Sequence, residues 1–123
     1  EAVVTAHIQL RQLATAAGDP FGEAFHRGVG LLLLVKEQDG RPDRDPVFCE
    51  EMLCKSLRAL GEAKDCRPAD PRVRIHLAEV YDRAGSARAG DSERRATRGD
   101  VAPGVLTPAE RKALLLGSET GSR

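Results

Sequence analysis

A chain of 123 residues suits one small domain with a modest core. Hydrophobic residues make up 41% and charged residues 31%, but aromatics only 3% with no Trp, so the core must be drawn from Leu, Ala and Val. That composition suits close-packed helices and disfavours a β-sandwich, while 19 basic against 19 acidic residues lacks the cationic excess of a phosphate-tracking nucleic-acid binder.

The first predicted helix spans 2–17, with Val4, Ile8, Leu10 and Leu13 as a loose apolar face. Gly18-Asp19-Pro20 ends it and begins the next, because Gly suits a helix C-terminus and Pro a first helical turn. The second helix spans 21–36, with Phe25, Val29, Leu32 and Leu33 on its apolar stripe. Its 31–35 run is apolar nearly all round, which predicts the deepest burial, and is far too short to cross a bilayer. A polar loop rich in Asp, Gly and Pro follows at 38–46. The third helix spans 47–65, with Cys49, Met52, Leu53, Ser56, Leu60 and Ala63 recurring at helical spacing. Asp70 is an N-cap with Pro71 at the first position of a fourth helix, whose face carries Val73, Leu77, Val80, Tyr81 and Ala84 before Gly85 ends it. A fifth, weaker segment covers 87–98 and a loop 99–106. Thr107-Pro108-Ala109-Glu110 forms a capping box that opens a last helix through 116.

Little in the sequence carries chemistry. Cys49, Cys54 and Cys66 are odd in number, with no Cys-x-x-Cys spacing, and read as free thiols of a reducing, cytoplasmic compartment. Cys49 and Cys54 lie about 140° apart around a helix, so they do not share a face as metal ligands would. His7, His26 and His76 fall on three helices with no acidic or thiol partner at ligand spacing. Gly28-Val29-Gly30 follows no strand and serves close helix packing rather than a dinucleotide. Arg88, Arg94, Arg95 and Arg98 are diluted by Asp91 and Glu93 and read as a solvated face. The chain starts at Glu1 and is expected to be a piece of a longer product.

Arg74-Ile75-His76-Leu77-Ala78-Glu79-Val80-Tyr81, followed by Gly85, resembles the first helix of a tetratricopeptide repeat. Leu77, Ala78 and Tyr81 match the motif's Leu, small and Tyr positions, and Arg74 replaces its Trp. Ser56, Leu60, Ala63 and Pro68 resemble the second helix of the preceding unit. An earlier first helix is read over 25–31, with Gly28 or Gly30 as its small residue. Either stands about 48–50 residues before Ala78 instead of ~34, so an insertion is placed around the 38–46 loop. Gly90 and Arg94 fall at the small and large apolar positions of the next second helix, where Arg94 departs from the pattern.

The resemblance implies an all-α fold of antiparallel helical hairpins, a fragment of a tetratricopeptide-like solenoid. It occupies 1–116 as one domain, with 117–123 a flexible tail. The function implied is a protein–protein interaction scaffold, not an enzyme, that binds a peptide or partner domain in a helical groove. Phe25, Val29, Leu32, Arg72, Ile75, Glu79, Asp82 and Arg83 would line that groove, with Gly28 as the earlier small residue. It lacks the Lys/Asn set that clamps a C-terminal carboxylate. No catalytic residue, cofactor, metal, nucleic acid or membrane is expected. A helical accessory domain of a larger enzyme, and a self-associating homo-oligomeric module, are the alternatives.

Overall fold

The computed structural model describes residues 2–97 and 106–112. Among these it is all-α: α1 (Ala2–Ala16), α2 (Pro20–Glu37), α3 (Pro46–Cys66), α4 (Pro71–Arg83) and α5 (Ala87–Thr97). A further helical turn covers 108–112, and no described residue is in a strand. The predicted loop over 99–105, the last helix beyond 112 and the 117–123 tail lie outside the described residues.

One local signal starts three of the helices. Asp19, Asp45 and Asp70 each stand in extended backbone immediately before a Pro, and each side chain accepts hydrogen bonds from N–H groups of the first turn. Asp supplies the acceptor that these donors need, and Pro fixes the first helical φ without wasting an N–H. Two helices also close alike. After α1, Gly18 at φ +69° lets its own N–H reach Thr15 and that of Asp19 reach Ala14. After α4, Gly85 at φ +86° does the same for Asp82 and Tyr81. Both are Schellman closures, which require a left-handed residue that Gly adopts without strain.

The chain packs as two compact units, Glu1–Pro68 and Ala69–Arg123. In the first, α2 lies between α1 and α3 and packs on both, while α1 and α3 share no close backbone approach. Phe21, Ala24, Phe25, Val29, Leu32 and Val35 of α2 are buried, as are Cys49, Met52, Ala59, Leu60 and Ala63 of α3. The α2–α3 crossing is close because Gly28 has no side chain: a Cβ there would stand 2.6 Å from Leu60 Cγ. The Ser56 hydroxyl, fully buried, donates to the Gly28 carbonyl at 2.7 Å. Of the two candidates, Gly28 is therefore the crossing residue; a Cβ at Gly30 would meet only His7 Cβ, at 3.6 Å.

The α1 packing differs from its sequence pattern. Ile8, Leu10 and Leu13 are 50%, 43% and 66% exposed, so these members of the predicted apolar face do not form a core. Instead His7, Arg11 and Ala14 meet α2, where His26, Glu23 and Gly22 face them. Small residues decide this: a Cβ on Gly22 would stand 2.9 Å from Ala14 Cβ, a spacing that larger side chains on either helix would prevent.

In the second unit Val73, Ile75, Leu77, Ala78 and Val80 of α4 are buried. Gly90 of α5 sits over the Ala78 carbonyl, which would lie 2.9 Å from an added Cβ. Arg74 binds Glu93 at 2.8 Å, and Arg94 binds Asp82 and Asp91, both at 2.8 Å. The α4–α5 hairpin thus closes through small residues and ion pairs where the α2–α3 hairpin uses a Leu and a Ser.

Candidate functional site

The gap between α1 and α3 leaves a groove of about 440 Å³ over α2, contained within the first unit. Gly30, Leu31 and Leu34 of α2 give it an apolar floor, extended by Val4 and Ile8 of α1 and Ala59 of α3. Charge gathers on its walls. Arg11, Arg27, Lys55 and Arg58 line it against a single lining carboxylate, Glu62. Arg11 and Arg27 share Glu23, each at 3.4 Å, and Arg27 also binds Glu62. Among the described residues Lys55 and Arg58, one turn apart on α3 and exposed, have no ion pair.

His7 and His26 also line this groove, with their Nδ1 atoms 3.0 Å apart. A hydrogen bond at that distance requires one Nδ1 to carry a proton and the other to accept it. The rings of His26 and Phe25 meet edge to face, with centroids 5.2 Å apart. Sequence spacing placed these histidines on separate helices and did not join them. The signal was the recurrence of His7, Arg11 and Ala14 at helical spacing, which puts them on one face of α1. Among the described residues no group of three or more His, Cys, Asp or Glu stands close enough to hold a metal.

The residues that the repeat resemblance assigns to a groove are placed as follows. Phe25, Val29 and Leu32 are buried in the first unit, Phe25 stacking on Phe21. Ile75 is buried in the second. Arg72 folds back on the N-cap Asp70 at 2.9 Å, Glu79 meets Arg83 one turn away at 3.4 Å, and Asp82 is bound to Arg94. The apolar members serve the interior of their units and the charged members bind neighbours within the second unit, so none of the eight lines the groove over α2.

The second unit has its own titratable pair. His76 Nε2 lies 2.9 Å from Glu110, with both side chains mostly buried. Burial pushes the Glu110 carboxyl up, but the hydrogen bonds from His76 and the Thr107 N–H together outweigh it and hold the group below its ordinary range. Thr107 and Glu110 form the reciprocal capping box: the Thr107 N–H donates to the carboxylate at 2.9 Å, and the Glu110 N–H to the hydroxyl at 3.1 Å.

No family model, curated protein or solved structure matches this chain. No helix among the described residues is long and apolar enough to cross a membrane.

Proposed function

We propose that this chain is a non-enzymatic, protein-binding scaffold module built from tetratricopeptide-like hairpins. Its binding surface is the groove over α2 between α1 and α3. The groove itself carries this reading: an apolar floor with charged walls, about 440 Å³ in size. The repeat assignment is supported by the crossings. Gly28, Ser56 and Leu60 meet in one hairpin, and Ala78, Gly90 and Arg94 stand at the corresponding places of the other. Gly90 follows Ser56, and Arg94 follows Leu60, at the ~34-residue spacing of the repeat.

The test is a photo-crosslinking amino acid placed at Ile8, on the groove wall, or at Val47, which is more exposed and lies outside the groove. In extracts of the source cells the first should capture a partner that the second does not. Equal capture from both positions would contradict the groove. A second reading, self-association, is favoured by Val3, Leu10 and Leu13 standing 58%, 43% and 66% exposed on α1. It requires a sedimentation coefficient that rises with concentration and a Leu13→Glu variant that stays monomeric.

A further inference from the structure

We infer that the occupant of the groove is an amphipathic helix of a partner protein whose apolar stripe is flanked by Asp or Glu; this rests on the groove being the binding surface. Shape argues for a helix. The slot is walled by two helices that leave each other free, and Val4 to Arg11 spans about 10 Å, two turns of a docked helix. An extended peptide would bring backbone N–H and C=O groups that need a sheet edge, and no described residue is in a strand. A helix satisfies its own backbone and offers side chains at every third or fourth position to Ile8, Leu31 and Leu34.

Charge argues for carboxylates. The whole chain is neutral, yet four cations line this groove against one carboxylate. Glu23 and Glu62 are engaged by Arg11 and Arg27. Lys55 and Arg58, on the same face of α3 before Glu62, present two charges that no described residue pairs with. A basic helix would meet like charge there, which discriminates between partners as strongly as any attractive contact.

The experiment titrates the full chain with three synthetic helices that share one Leu-based apolar stripe and differ only in flanks of Glu, Gln or Lys. Binding is read by fluorescence anisotropy at low and moderate salt. The Glu helix should bind most tightly and weaken as salt rises. Lys55→Glu with Arg58→Glu should weaken it about five- to tenfold, as two exposed charge contacts would. The same double variant should come to prefer the Lys helix, which also shows that it is folded. Ile8→Asp should abolish binding of every helix. If the Gln or Lys helix binds the native chain as well as the Glu helix, and Ile8→Asp still abolishes binding, the groove stands and the acidic preference is overturned. Failure of all three helices to bind would overturn the helical occupant and the groove together.

Discussion

Gly28 and Gly61 are both helical, yet the structure assigns them opposite roles. A Cβ on Gly28 would stand 2.6 Å from Leu60 Cγ and 3.2 Å from the Leu60 backbone nitrogen, while one on Gly61 would meet nothing within 4 Å. Gly28→Ala should therefore destabilise the fold by about 1–3 kcal/mol, the usual cost of overpacking a close crossing. Gly61→Ala should stabilise it by about 0.5–1 kcal/mol, because a mid-helix Gly loses more chain entropy than Ala. Urea midpoints moving in the same direction would contradict the crossing. The His7–His26 contact makes a second residue-level prediction. With both rings neutral, nitrogen-detected NMR should find one ring protonated at Nδ1 and the other at Nε2. Two Nε2–H tautomers would mean that the rings do not share a proton. Close helix packing at Gly28-Val29-Gly30 was legible in the sequence, but which glycine makes it, and the His7–His26 contact, were not. The tandem Gly28 and Gly30 both qualified as small, and only the position of Leu60 and Ser56 across the hairpin separates them.

Caps and helix ends were the most legible elements, because their chemistry is local. Gly18-Asp19-Pro20, Asp70-Pro71 and the Thr107 capping box each form the structure that their residue types favour. The predicted limits of α2, α3 and α4 agree with the structure to about one residue, since Gly and Pro act on their own backbone. The facing of α1 was not legible, because its apolar residues outnumber the places that close packing leaves for them. Arg94 was an apparent mismatch to the repeat. In the structure its terminal amino groups bind Asp82 and Asp91, which lets this guanidinium be largely buried, although its Nε stays buried without a partner. The capping box also carries a pH prediction. The Glu110 carboxyl is held low in the fold, so its contribution to stability is present above the ordinary glutamate range, near about 4.3. It is lost as pH falls through the lowered folded value. Melting temperature should therefore fall more steeply between about pH 5 and about pH 3 in the native chain than in Glu110→Gln. Parallel curves would show that the carboxylate is not held by His76 and Thr107.

At the scale of the molecule, helical class could be read from composition and periodicity, but the groove could not. A groove arises where two helices pack on a third without meeting, a relation among α1, α2 and α3 that no local pattern encodes. The family-derived surface drew Phe25, Val29, Leu32 and Ile75 because apolar helix positions look alike whether they face a partner or a core; here they are buried. What lines the groove instead are positions between the main stripes, Leu31 and Leu34 among them, and the cations of α3. The most direct measurement is an amide NMR titration of the labelled chain with the segment of partner captured through Ile8. Shift changes should concentrate at 4–11, 26–34 and 55–62, on the three helices around the groove. Changes concentrated instead at Arg72, Glu79 and Arg83 of α4, with the first unit unmoved, would contradict the account.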